Sequence, residues 1–178
     1  MVRKIISIDL NPMEYYAKSK GLPYLPIEDI IEIFKEHDKV DVIECLVPLV
    51  RRVPEDDSAE ALSRVTQAFI SKQYALQMSG ARVIEAPSKP AGNNGYKQSD
   101  DQRLMLTTLL LAMKLKPDYV TLFAADGDFA PMVEMLRTEG IRTEIVSPMD
   151  ILAGELKKHA VRVIDFDDVI RKINNKVW

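Results

Sequence analysis

Sulfur and imidazole are scarce in this chain. Cys45 is its one cysteine, and His37 and His159 are its two histidines. An internal disulfide, a cysteine zinc cluster and a histidine-rich metal centre are therefore excluded. Long hydrophobic runs are lacking too. The greasiest stretch, 104–115, is too short to span a bilayer and is interrupted by Thr107, Thr108 and Lys114. Nor is there an excess of positive charge. The 24 Lys and Arg against 27 Asp and Glu leave a formal charge of −3, which excludes bulk, salt-driven coating of nucleic acid. The opening Met1-Val2-Arg3-Lys4 leads straight into an apolar strand with no visible signal peptide, so a reducing, cytoplasmic compartment is expected. What the chain does have is 178 residues, 47% hydrophobic and 29% charged, which suits one ordinary globular domain over 1–178. Residues 167–178 read as a C-terminal helix or tail.

Apolar runs alternate with amphipathic helical patterns. Strands are expected at 5–8, 40–50, 82–85, 119–123, 141–146 and 161–164, with helices at 27–37, 57–79, 99–116, 129–139 and from 147. Asp57 with Glu60, and Ser99 with Gln102, read as capping boxes, and Gly80 and Gly140 as helix stops. Ser147-Pro148 reads as a cap and first helical position. The segment 86–99 holds two prolines, two glycines and two asparagines, and reads as a loop. This alternation predicts a single three-layer α/β/α domain with a mostly parallel central sheet, Rossmann-like in layout.

Two of these strands end in acids. Asp9 follows 5–8, while Asp126 and Asp128 follow the strand at 119–123. Open parallel sheets bind ligands beyond the carboxyl ends of their strands, where the strand order reverses. If the first and fourth strands are neighbours there, these acids converge, and Asp100 and Asp101 open the helix leading into the fourth strand. Carboxylates gathered in one crevice repel one another unless a cation sits among them. Oxygen ligands with so few histidines suit Mg²⁺ or Mn²⁺. Four of these acids also have a structural role open to them. Asp128 is placed to cap the next helix, Asp100 and Asp101 to complement a helix dipole, and Asp9 to begin a turn with Asn11 and Pro12.

The run Leu122-Phe123-Ala124-Ala125-Asp126-Gly127-Asp128-Phe129-Ala130-Pro131-Met132 resembles the Asp-x-Asp-Phe signature of NYN domains, the LabA-like relatives of PIN-domain nucleases. The resemblance continues through Leu136-Arg137-Thr138-Glu139-Gly140, the following strand, 156–166, and Ile6-Ser7-Ile8-Asp9. It implies a PIN-like fold and metal-binding roles for Asp9, Asp126 and Asp128. The family also has a Lys and then an Asp opening a helix. Lys97 precedes Asp100 and Asp101 here, and Leu104 at the family's apolar position favours Asp101. The chain departs from the family at Thr107, where a later acid belongs, and in reading Asp9-Leu10-Asn11 where Asp-x-x-Asn is usual. The implied activity is a Mg²⁺- or Mn²⁺-dependent ribonuclease acting on RNA, with Asp9, Asp101, Asp126 and Asp128 catalytic and Asp100 a further ligand. A regulatory or RNA-binding module on the same fold is the alternative. A haloacid-dehalogenase phosphatase is disfavoured, since Asn11 stands where its second aspartate belongs.

A phosphodiester needs cations besides the metal. Arg51 and Arg52 follow the second strand and should emerge at the same sheet edge as Asp9. Lys97 could hold phosphate, Tyr96 could stack on an unpaired base, and Asn11 is a further candidate substrate contact. A solvated strand end for the arginines and a loop anchor for Tyr96 are equally open. Cys45, mid-strand among apolar residues, reads as an inert buried thiol, and His159 as a helix-end residue. Lys157 and Lys158 read as a solvated helix face, and Met132, Met135 and Leu136 as a stripe packing on the sheet. No membrane partner is expected, and a homo-oligomer is compatible with the sequence.

Overall fold

The computed structural model describes residues 1–91, 95–97 and 99–175, and the side chains among them except those of 37, 89–91 and 95–97. In chain order the elements are β1 (Arg3–Ile8), α1 (Leu10–Ser19), α2 (Ile27–Asp38), β2 (Asp41–Arg51), α3 (Ala59–Met78) and β3 (Arg82–Pro87). A short pair, β4 (Lys89–Ala91) and β5 (Gly95–Lys97), is followed by α4 (Asp100–Leu115) and β6 (Tyr119–Phe123). Then come a 3₁₀ turn (Gly127–Phe129), α5 (Ala130–Thr138), β7 (Arg142–Ser147), α6 (Gly154–His159), β8 (Arg162–Asp165) and α7 (Phe166–Asn174).

Six strands form one sheet in the order β3-β2-β1-β6-β7-β8, and every neighbouring pair is parallel. The strand order reverses between β1 and β6, which creates a crevice at their carboxyl ends. Side chains alternate across the sheet with the period of two that a strand imposes. Ile6, Ile8, Phe123 and Val146 pack with Met13, Ile30, Phe34, Phe69 and Phe166, so α1, α2, α3 and α7 cover one face. Ile5, Val120, Leu122 and Ile145 pack with Leu104, Met132, Leu136 and Leu156, so α4, α5 and α6 cover the other. The expected three-layer domain is therefore the observed one. In the described part of its C-terminal segment, Phe166–Asn174 is a packed helix, with Phe166, Val169 and Ile170 buried.

Several local expectations need correction. Leu10–Ser19 is a helix where Asn11-Pro12 suggested a turn. Pro12 falls in its first turn, where a missing N–H forfeits no helical bond, and Leu10, Met13 and Ala17 supply the buried face. The α3 cap is Ser58, whose Oγ accepts from the Ala61 N–H at 3.1 Å, so Asp57 does not cap. Ser99 makes no side-chain cap for α4 and donates to the Pro87 carbonyl at 3.4 Å instead. The expected loop at 86–99 contains the antiparallel β4–β5 pair. Ser147 ends β7 rather than starting a helix, and α6 begins only at Gly154. Met135 is 55% exposed, so the packing stripe of α5 is Met132, Val133 and Leu136.

Thr143 on β7 is 2% exposed, and its hydroxyl finds no hydrogen-bond partner among the described residues. Such a group costs about 1–3 kcal/mol. Thr143→Val removes the hydroxyl and keeps the branched shape, so it should raise stability by ~1–2 kcal/mol in a denaturant melt. A lower midpoint would mean that the hydroxyl is satisfied.

Candidate metal centre

The chain leaves β1 at Asp9, whose backbone N–H donates to the Phe123 carbonyl at 2.9 Å. That bond ties the end of β1 to the end of β6. Asp9 then stands at the amino end of α1 but makes no side-chain cap bond, so its carboxylate is not consumed by the helix. The buried stripe of α4 is Asp100, Leu104, Thr108 and Ala112, at the four-residue spacing of one helix face. Thr108 Oγ1 shares a buried 2.8 Å hydrogen bond with Ser7 Oγ, which pins α4 against β1 and sets its first turn beside Asp9.

As a result, one carboxylate oxygen from each of Asp9, Asp100 and Asp101 lies within 4.8 Å of the other two. Asp9 and Asp100 are 4% and 8% exposed. These acids line a crevice of about 500 Å³ whose wall also includes Asn11 and Asp126. The Asn11 amide donates to Asp100 Oδ2 at 3.2 Å and so orients it.

Across the crevice, the capping role expected of Asp128 belongs to Asp126. Asp126 Oδ1 accepts from the Asp128 N–H at 2.9 Å and holds the 3₁₀ turn, which the buried Phe129 anchors. Asp128 is not among the residues lining the crevice, although its charge reaches Asp101.

The electrostatic consequence is large. Burial, followed by the charges of Asp101, Asp100 and Asp126, pushes the Asp9 carboxyl up to about 8. Burial, followed by Asp100, Asp126 and Asp128, pushes Asp101 up to about 6. Among the described residues no Lys or Arg forms an ion pair with Asp9, Asp100 or Asp101. An all-oxygen set of converging acids without a counter-cation fits a hard divalent ion, and not a soft one that prefers nitrogen or sulfur.

The family model described as NYN domain matches residues 4–170, which takes in every one of these acids. The chain belongs to the NYN domain family. NYN domains are a PIN-like nuclease family, and this chain carries within the matched residues an acidic cluster that could bind a metal ion. Low amplitude and bright protein LabA of Synechococcus elongatus is 22% identical over 94% of this chain and 85% of that protein. The crystal structure of a protein of unknown function from Vibrio parahaemolyticus superposes with a TM-score of 0.71. It is 16% identical, and the match covers 94% of each chain, which establishes the common fold.

Around the NYN crevice the expected substrate contacts divide. Arg51 ends β2 at the anticipated edge, but its guanidinium pairs with Glu85 at 3.0 Å and lies over the Phe69 ring at 4.8 Å. Arg52 is exposed and makes no ion pair among the described residues. Lys97 and Tyr96 belong to β5, and their side chains lie outside the described residues, as does that of Lys89. Cys45 is buried as expected, and burial, with the Glu44 charge, pushes its thiol up to about 12. A set of residues on α3 that sequence reading missed lines a second cavity beside the crevice. Its trace was a helical repeat at 61, 64, 65, 68, 69 and 72 that mixes cations with small apolar residues.

Proposed function

We propose that the protein is a metal-dependent ribonuclease that hydrolyses RNA phosphodiester bonds at this crevice. The observation that carries the reading is the trio Asp9, Asp100 and Asp101, the first two buried and the third half-buried, three carboxylates within 4.8 Å and without a protein cation among the described residues. With Asp126 they would hold Mg²⁺ or Mn²⁺, and Asp128 would add negative charge at one remove. A bound divalent ion supplies a nucleophilic hydroxide near neutral pH and offsets charge on a phosphoryl oxygen. Asn11 keeps Asp100 turned into the crevice. Arg52 is the cation we assign to a substrate phosphate, with Arg51, Lys97 and Tyr96 as further contacts. No side-chain nucleophile is needed, in keeping with a Cys45 thiol that is both buried and held protonated.

No helix among the described residues is long and apolar enough to cross a membrane; a cytoplasmic RNA is the substrate proposed for the acidic crevice. Association into a homo-oligomer is a separate proposal, read out by its solution mass.

Calorimetric titration with Mn²⁺, paired with cleavage of an end-labelled single-stranded RNA, tests the hydrolase. Saturable Mn²⁺ binding and cleavage abolished by EDTA are expected. Cleavage that persists in EDTA would overturn the reading. Thr107, half-buried on α4 where the family carries a later acid, favours a second reading as a non-catalytic RNA-binding module. That module would bind RNA equally well with and without EDTA and cut none.

A further inference from the structure

The second cavity measures about 700 Å³, larger than the acidic crevice, and Asn11 lines both. It lies between the end of β2 and one stripe of α3. Leu49, Val65, Ala68 and Phe69 form its apolar wall, and Arg52 and Arg64 stand among its lining cations. Helical spacing brings these α3 residues to one side, because positions three and four apart share a face. The slot exists because that face carries Ala61 and Ala68 where larger side chains would fill it.

Its charges are unequally committed. Lys72 pairs with Glu14 at 2.7 Å, which joins α3 to α1. Glu55 is the one carboxylate among the lining residues; Arg64 meets it only at 4.0 Å, and both are exposed, a pairing worth little in water, so Arg64 can turn to an incoming phosphate. Arg52 has no ion pair among the described residues. Two guanidinium groups are thus available beside an apolar slot of the size that small ligands occupy. An anion with a flat apolar body matches both features.

We propose that this cavity is a nucleotide subsite. It takes one unpaired nucleotide of the RNA strand that crosses the carboxylates, with the base against Val65 and Ala68 and the accessible edges of the buried Leu49 and Phe69. A flanking phosphate is held by Arg52 and Arg64. The inference rests on the ribonuclease reading for the strand's origin, but the pocket chemistry is independent of the metal. A base stacked in a duplex cannot enter the slot, so single-stranded RNA is the substrate class selected.

Equilibrium titration with adenosine 5′-monophosphate in EDTA tests the subsite without the metal. Ribose 5-phosphate, which has the phosphate and no base, is the second probe. Wild-type protein should bind the nucleotide at least about fivefold more tightly than the sugar phosphate, because only the nucleotide buries an apolar base in the slot. Ala68→Trp, on an exposed stretch of the wall, fills the slot and should weaken the nucleotide at least tenfold while leaving the circular dichroism spectrum unchanged. Arg52→Ala should weaken both probes. Equal binding of the two probes, or full nucleotide binding by Ala68→Trp, would overturn the subsite. Metal-dependent RNA cleavage without nucleotide binding would sink the subsite and leave the hydrolase standing. Nucleotide binding without cleavage in Mn²⁺ would do the reverse.

Discussion

Asp9→Asn should give a protein that, free of metal, melts higher than its parent at pH 8, yet binds no Mn²⁺ and cuts no RNA. The two effects share one cause. Asp9 is 4% exposed and faces Asp100 and Asp101, so its negative charge is costly in the folded state. Its carboxyl titrates near 8 when folded, against an ordinary value of 3.8. The folded state therefore binds the proton more tightly than the unfolded state. Stability is fully present below about pH 4 and is lost as pH rises through 8. Asp101, raised to about 6, adds to the same slope. An uncharged isostere escapes that loss, and the gain at pH 8 should be ~2–4 kcal/mol. At pH 4 parent and variant should melt together. Activity runs the opposite way, because several kcal/mol of metal-derived transition-state stabilisation are lost, about a thousand-fold or more in rate. Melting curves in EDTA at both pH values, with a cleavage assay in Mn²⁺, check both halves. A variant less stable than its parent at pH 8 would mean that Asp9 already has a protein counter-cation.

How far such a site can be read in advance depends on the range of the interactions that build it. Asp9, Asp100, Asp101 and Asp126 were legible, because each stands at the end of a strand or the start of a helix, and parallel strands bring those ends to one edge. The fourth main strand was legible too. Its apolar run is bounded by Pro117-Asp118, and β6 begins at Tyr119 as expected. The role of Asp126 was not legible. Asp126 and Asp128 are both suited to capping, and only the 3₁₀ turn at Gly127–Phe129 gives the bond to Asp126. The pairing of Arg51 was not legible, for a longer-range reason. Its partner Glu85 sits on β3, and the pairing follows from a register that aligns Leu49 with Glu85 and Arg51 with Pro87. The α1 helix was missed because Asn11-Pro12 is a turn signal locally, while the buried face that overrides it appears only against the sheet.

Lys4 carries this lesson furthest, and with it the largest expected loss of stability. A lysine flanking an apolar strand ordinarily reads as solvated, yet Lys4 is 1% exposed. Its Nζ lies 2.9 Å from Asp38 Oδ2 and 2.7 Å from Glu144 Oε2, and 4.6 Å from the centre of the Phe34 ring. Thr121 Oγ1 donates to the same Glu144 oxygen at 2.9 Å, and Arg162 reaches Glu144 Oε1 at 2.8 Å. Burial works against the Asp38 charge, but the hydrogen bond and charge of Lys4, aided by Arg162, hold its carboxyl below the ordinary range. Lys4→Met keeps the stem volume and removes the ammonium, leaving the buried Glu144 with the Thr121 hydroxyl and with Arg162, which is itself half in solvent. Breaking a buried pair in this way costs about 3–5 kcal/mol, a large share of a typical domain's 5–15 kcal/mol. Adding Glu144→Gln removes the stranded charge, so the double variant should recover part of that loss. Lys4 sits at the amino end of β1, about 16 Å along the strand from Asp9. Mn²⁺ affinity of the folded variant should therefore be unchanged, which separates this network from the site. Chemical denaturation of the two variants and the parent decides it. A Lys4→Met protein as stable as its parent would mean that the ammonium's attraction to Asp38 and Glu144 only cancels the cost of burying it.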